Sequence, residues 1–262
     1  MSIALLHPGQ MGAAIGAALV EAGQPVHWAS AGRTQETRAR ASAARLVDDG
    51  DVVTLLGHSD LVLSVCPPHA ALGVASQVAA AAKDKRDWIY LDANAVAPAT
   101  ACRVARVVED AGARYVDGGI IGPPPEAPGA TRLYLSGPGA TEAREALGTP
   151  RLEIRVVNEQ PCSASALKLS YAAWTKGSAA LLLAARAAAA KAGVDDSLLT
   201  EWHISQPGLE DRWGNARRSA LEKGWRWSGE MREIASMLEE LGLPSGFHAA
   251  AAEVFKDRTI FE

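Results

Sequence analysis

Between Ser163 and Gly193 the chain reads SASALKLSYAAWTKGSAALLLAARAAAAKAG. Alanine and leucine, both strong helix formers, dominate the run and no proline interrupts it. The stretch predicts one continuous helix, roughly 45 Å long at about 1.5 Å per residue. Ser163 or Ser165 can offer a side-chain oxygen to the first free N–H groups, and Gly193 supplies the left-handed residue that closes many helices. An apolar rod of that length either crosses a membrane or runs through a folded domain. Lys168, Lys176, Arg186 and Lys191 interrupt it far short of the roughly 18 to 20 uncharged residues that crossing requires. It therefore reads as a buried helix of a soluble protein with no membrane partner.

Lys168, Tyr171, Ala172 and Thr175 share one face of this helix at about 100° per residue, so an amine, a phenol and a hydroxyl project the same way. From the helix alone, a lysine stem lying on apolar surface with its ammonium in water accounts for Lys168. The remainder of the chain changes that balance.

Residues 2 to 120 alternate short apolar runs with helical segments, the pattern of a parallel sheet covered by helices. Strands are expected at Ile3–Leu6, Val26–Ala29, Leu61–Val65 and Trp88–Leu91, with helices at Gln10–Ala22 and around Thr34–Arg45. Tyr115 and Val116 lead into Asp117-Gly118-Gly119, which reads as a strand-ending turn. Further strands fit Leu133–Leu135 and Leu152–Val157. Beyond the long helix only helical pattern remains: Asp196–Ser205, Leu209–Lys223 stopped by Gly224, Glu230–Leu241 capped by Ser228, and Gly246–Lys256. The expected fold is an N-terminal Rossmann-type, doubly wound α/β domain over residues 1–160, then an all-α domain over 161–262, joined by the long helix.

The first strand runs into His7-Pro8-Gly9-Gln10-Met11-Gly12 and then into a helix. This fits a Gly-x-Gly-x-x-Gly turn with His7 in the first glycine's place. Gly9 keeps the position where backbone approaches a pyrophosphate, and Gly12 the one where helix packs on strand. The helix start offers free N–H groups and a positive dipole end to phosphate. An NAD site usually carries a carboxylate about 20 residues further on. Here the corresponding stretch is Ala29-Ser30-Ala31-Gly32-Arg33-Thr34, and no acid occurs between Glu21 and Glu36. Arg33 can fork onto a phosphate while Ser30 and Thr34 donate to it, which predicts NADP(H) over NAD(H).

A net charge of −4 leaves no basic excess for nucleic acid or an anionic membrane. Cys66, Cys102 and Cys162 lie far apart without paired spacing, against a disulfide framework or a zinc site and in favour of a reducing cytoplasm. The opening MSIALLHPG lacks the basic segment and cleavage site of a secretory signal.

Five segments, HPGQMG, VCPPHA, LDANAVAP, VDGGIIGPPP and ALKLSYAAWTKG, together make the chain resemble the β-hydroxyacid dehydrogenase superfamily, which includes 6-phosphogluconate dehydrogenase and the imine reductases. The resemblance covers nearly the whole length. It implies that Gly9 to Gly12 hold the cofactor phosphates, that Arg33 lies near the 2′-phosphate, and that Cys66-Pro67-Pro68 passes the nicotinamide ribose. It puts Asn94 where the family has serine or threonine beside the nicotinamide. It makes Lys168 the active-site lysine, the proton donor or acceptor at the carbon that exchanges hydride; Tyr171 and Thr175, on the same helix face, are backup hydrogen-bonding candidates. It also implies a homodimer. Ile121 stands where family dehydrogenases have a substrate-binding serine, and Ala172 where they have an asparagine. The leading expectation is an NADP(H)-dependent oxidoreductase acting on a small-molecule carbonyl or alcohol. The alternatives are an imine reductase and a non-catalytic NADP(H)-binding protein. Trp202, Trp213, Trp225 and Trp227 in the helical part are expected to pack a core.

Overall fold

The computed structural model describes residues 1–83 and 85–261. The elements run β1 (Ile3–Leu5), α1 (Gln10–Glu21), β2 (Val26–Trp28), α2 (Gln35–Ala43), β3 (Val47–Asp48), α3 (Val52–Gly57), β4 (Leu61–Ser64), α4 (Ala71–Ala82), β5 (Trp88–Asp92), α5 (Pro98–Asp110), β6 (Ala113–Ile121), β7 (Thr131–Ser136), α6 (Ala140–Ala146) and β8 (Leu152–Asn158). They continue with α7 (Ser163–Lys191), α8 (Asp195–Ser205), α9 (Leu209–Glu240) and α10 (Gly246–Lys256). The chain forms two compact units, Met1–Lys168 and Leu169–Glu262, and α7 begins in the first and continues in the second.

The first unit is one sheet in the order β3-β2-β1-β4-β5-β6-β7-β8, parallel except where β6 meets β7. The fold is therefore Rossmann-type, as the βα alternation implies, followed by an all-helical region. Near-continuous apolar strands such as Ile3-Ala4-Leu5 and Leu61-Val62-Leu63 are fully buried because helices cover both faces. Ile3, Leu5, Val26 and Trp28 pack on one side with α1, while Ala4, Val62, Trp88 and Tyr90 pack on the other with α3, α4 and α5. The order reverses between β1 and β4, the switch point at which such sheets open a ligand crevice at their carboxyl ends.

Several local expectations are corrected. Asp117-Gly118-Gly119 is no turn: β6 continues through it, pairing with β5 up to Asp117 and with β7 from Asp117 to Ile121. The glycines serve close packing. A Cβ on Gly119 would lie 2.7 Å from the Ala164 carbonyl oxygen and 2.9 Å from Lys168 Cβ, so α7 sits directly on this strand.

Ser165 does not cap α7, because its hydroxyl donates rather than accepts. The Ala164 N–H donates to Ser136 Oγ at 2.9 Å, and the Ser165 N–H and hydroxyl donate to the Asp117 carboxylate at 2.7 and 2.5 Å. Two sheet residues thus receive the groups that a helix start leaves open.

The helices expected at Leu209–Lys223 and Glu230–Leu241 are one helix, α9. Gly224 does not stop it, because its missing Cβ admits the Phe255 carbonyl of α10, which would otherwise lie at 3.1 Å. Nor is α7 buried throughout, since Tyr171 is 48% and Trp174 74% exposed. Of the helical-region tryptophans, Trp225 is exposed rather than packed, whereas Trp227 stacks edge-on against Phe255 and Trp213 lies beneath Arg186. Among the described residues no helix is long and apolar enough to cross a membrane.

Candidate active site

The segment from His7 to Gly12 joins β1 to α1 at the switch point. Gly12 is required by contact: a Cβ there would lie 2.3 Å from the His7 carbonyl oxygen. Gly9 is the N-cap, in extended backbone, with no side-chain cap and no acid in the first turn of α1, and a Cβ there would meet nothing within 4 Å. The start of α1 is therefore a positive dipole end opening onto free space.

His7 occupies the first position of the turn with its ring mostly buried. Burial, helped by Arg33, brings its pKa down to about 4, so the ring is neutral at physiological pH. Its Nδ1 has no hydrogen-bond partner among the described residues. Pro8 offers its carbonyl to Arg40 Nε at 3.1 Å, and Gln10 and Met11 form the first turn of α1.

After β2, Ser30 is buried and Thr34 is the N-cap of α2, its hydroxyl accepting from the Thr37 N–H. Arg33 folds inward: its guanidinium donates to the Leu6 carbonyl at 3.3 Å, while its buried Nε lacks a partner among the described residues. That orphaned donor beside an open helix start fits a phosphate-bearing ligand.

Arg38 donates to the carbonyls of Ser30 and Arg33 and so holds the loop that carries both residues. Asp48, at the end of β3, also reaches Ser30. Its slight burial works the other way, but hydrogen bonds from the Gly50 N–H and from Ser30, with Arg38 nearby, hold its carboxyl below the usual range. Sequence reasoning missed Arg38, Arg40 and Asp48. The first two were legible as cations on the turn after Thr34; Asp48 reaches Ser30 only through the pairing of β2 with β3.

On the far side of the switch point, Cys66, Pro67 and Pro68 follow β4. Burial and the Asp92 charge push the Cys66 thiol up to about 12, so it is no nucleophile. Asn94 is only 2% exposed. Its amide donates to Ser64 Oγ at 3.1 Å and to Asp92 Oδ1 at 2.5 Å, and its carbonyl accepts from the Cys66 N–H at 2.5 Å. Both amide hydrogens are thereby engaged within the protein, and Asn94 ties the loop after β4 to that after β5.

Asp92 is fully buried, and burial with the Asp117 charge raises its pKa to about 7. Burial raises Asp117 too, although Ser165 and Ser136 donate to its charged form. Lys168 is half-buried, its Cβ beside Gly119 just past the end of β5. Tyr171 lies one turn on, in the second compact unit, and is exposed, as is Thr175, whose hydroxyl donates to the Tyr171 carbonyl.

Residues 2–148 match the NAD binding domain of 6-phosphogluconate dehydrogenase, and residues 189–257 match a domain of unknown function (DUF1932). An uncharacterized 28.5 kDa protein of Methanothermus fervidus is 31% identical over 170 residues, 64% of this chain and 63% of that protein. The chain thus spans less than two thirds of the length of that curated relative. Mycobacterium tuberculosis 3-hydroxyisobutyrate dehydrogenase shares the fold, with a TM-score of 0.71 at 19% identity over 97% of this chain and 92% of that one. So does the reductive aminase of Aspergillus terreus, solved with NADPH, cyclohexanone and allyl amine, with a TM-score of 0.63 at 17% identity over 97% and 92%. With more than half its length matched by that nucleotide-binding domain, the chain belongs to the β-hydroxyacid dehydrogenase superfamily.

Proposed function

We propose that this protein is an NADP(H)-dependent oxidoreductase that moves a hydride between the nicotinamide and a small-molecule carbonyl or alcohol. The observation that carries this reading is a juxtaposition within one compact unit. An uncapped helix start stands at the switch point of the sheet, and Lys168 lies against Gly119, past the end of β5.

When bound, the reduced nicotinamide supplies the hydride. Gly9, Gln10, Met11 and Gly12 receive the pyrophosphate through the free N–H groups of α1, with His7 and Pro8 shaping the entry. Arg33, Ser30 and Thr34 hold the 2′-phosphate, and Cys66, Pro67 and Pro68 flank the nicotinamide ribose. Asn94 fixes that loop by its bond to the Cys66 N–H. Lys168 gives a proton to the substrate oxygen as the carbon is reduced, and takes it back in the reverse direction.

Asp48 works against Arg33 in cofactor choice, because it brings a carboxylate to Ser30, which NAD sites favour. NADP(H) is favoured here because Arg38 offsets that charge and the Arg33 Nε lacks a partner among the described residues. Fluorescence titration with NADPH and NADH tests this point, and tighter binding of NADH would overturn it.

Imine reduction is a second reading, favoured by Ile121 and Ala172, both buried and apolar where hydroxyacid enzymes carry polar groups. NADPH oxidation measured across ketoacids, aldehydes and cyclic imines separates the two readings, and binding without turnover would leave a cofactor-binding protein. On the oxidoreductase reading, Lys168→Ala lowers kcat by about 10³-fold with little change in NADPH affinity. An unchanged kcat would remove Lys168 from the mechanism. A homodimer is also proposed, supported by the exposed Trp174 and Leu181 on α7, and light scattering tests it.

A further inference from the structure

A second cluster of chemistry-bearing side chains lies in the nucleotide-binding unit, made of residues outside the dinucleotide turn. Val26 and Trp28 of β2 pack on the α1 side of the sheet, so the alternation of the strand sends His27 to the opposite face. Asp49 follows β3, and His58 closes α3. These residues are separated by 22 and 9 positions in the chain, yet they meet. His27 Nδ1 lies 3.1 Å from both oxygens of Asp49, and His58 Nε2 lies 2.8 Å from Oδ2. The two rings are edge to face with centroids 5.0 Å apart. All three ligand atoms lie within 4.8 Å of one another.

Two neutral imidazoles and a carboxylate are a donor set for a zinc-class divalent cation rather than for magnesium or calcium, which take oxygen. Around a tetrahedral ion with bonds of about 2.0–2.1 Å, neighbouring ligand atoms stand roughly 3.3 Å apart. The nitrogen–oxygen separations here, 3.1 and 2.8 Å, are about 0.2 and 0.5 Å short of that edge, so a small opening of the cluster admits the ion. The Asp49 side chain is 9% exposed and His27 20%, while His58 at 47% leaves an approach from solvent.

We propose that His27, Asp49 and His58 form a binding site for one divalent cation of the zinc class, with water in the fourth position. The ion takes the lone pair of Nδ1 of His27 and of Nε2 of His58, each ring keeping its single proton on its other nitrogen. The consequence reaches the adenosine end of the dinucleotide site. Asp49 adjoins Asp48, which accepts from Ser30, and Gly50, whose carbonyl accepts from the Ala31 N–H at 2.8 Å. An ion on Asp49 stiffens this loop and with it the segment from Ser30 to Arg33.

The test uses the full chain stripped of metal by chelator. Calorimetric titration with zinc chloride is expected to give one tight site per chain, titration with cobalt(II) the absorption of a tetrahedral ion, and zinc but not magnesium a higher Tm. His58→Ala, at the exposed corner, is expected to weaken zinc binding at least about tenfold, since even outer partners of ligands are worth that much. Asp49→Asn, which keeps the shape and one acceptor, is expected to do the same and to remove the cobalt bands. His203→Ala serves as a control and leaves both unchanged. Equal zinc uptake in wild type, His58→Ala and Asp49→Asn would put the ion on other side chains and overturn the proposal, as would the absence of uptake by the wild type.

Discussion

Two helices begin against the same sheet, and they begin differently. The start of α7 is closed by the protein itself, since Asp117 and Ser136 accept from its first N–H groups and bury a carboxylate at its positive end. The start of α1 has a glycine cap, no side-chain partner and open space where a Cβ would stand. Both ends attract negative charge, because both leave N–H groups pointing outward at the positive pole of a dipole. In one case the charge belongs to the chain and fixes a structural joint. In the other the place is kept for a phosphate that arrives from outside.

The contrast is most severely tested at Asp117. Asp117→Ala strands three buried donors, so the urea midpoint is expected to fall by an amount equivalent to about 4 kcal/mol, and a loss under about 1 kcal/mol would mean that this carboxylate does not hold α7. Next in size is the pH dependence of the neighbouring carboxyl. Asp92 has a folded-state pKa raised to about 7 against roughly 3.9 unfolded, so the protonated group favours the fold. That stability is fully present below about pH 4 and is lost as pH climbs through about 7, at most about 4 kcal/mol in all. Asp92→Asn is expected to flatten this fall in a series of urea titrations, and an unchanged slope would show that Asp92 is ionised throughout.

At the other helix, Gly9→Asp makes the start of α1 resemble that of α7 by supplying it with its own carboxylate. Stability is expected to move by less than about 0.5 kcal/mol, because glycine is already a fair cap. NADPH affinity is expected to fall by about 100-fold, equivalent to about 2.7 kcal/mol, as the acid competes with the pyrophosphate. Unaltered affinity would mean that the phosphates bind elsewhere. Arg33→Ala should have the smallest effect, about tenfold weaker binding of NADPH with NADH little changed. Equal losses for both cofactors would assign Arg33 to the turn rather than to the 2′-phosphate.

The strand–turn–helix at His7 to Gly12 and the length of α7 were legible because their signals are local: glycines at fixed offsets, and an alanine-rich run without proline. What escaped was set by distant partners. Gly118 and Gly119 read as a turn, since nothing nearby tells that Leu91 and Asp92 will lie against the first and Ala164 and Lys168 against the second. Gly224 read as a helix stop for the same reason, its true neighbour being Phe255. Ser165 near the start of α7 looked like its cap, yet the acceptors come from β6 and β7. In the candidate site, the stretch after β2 singles out Arg33 and the resemblance singles out Asn94, but the partners they have in the fold were not legible. The inward fold of Arg33 and the engagement of Asn94 with Ser64, Asp92 and Cys66 depend on strands brought side by side.

The joint at Asp117 also bears on how the polypeptide is made. Ribosomes release a chain from its first residue onward, and the last strand of the sheet is complete at Asn158. At that moment Asp117 still lacks the Ser165 donors, which lie 48 residues downstream of it. A nascent chain ending at residue 160 would hold every strand and an acid buried without those partners, whereas one extended through Lys168 would not. The nucleotide-binding unit therefore reaches its final stability only as the first turns of α7 emerge, and a shortened version meant to fold by itself should end after Lys168 rather than after the sheet.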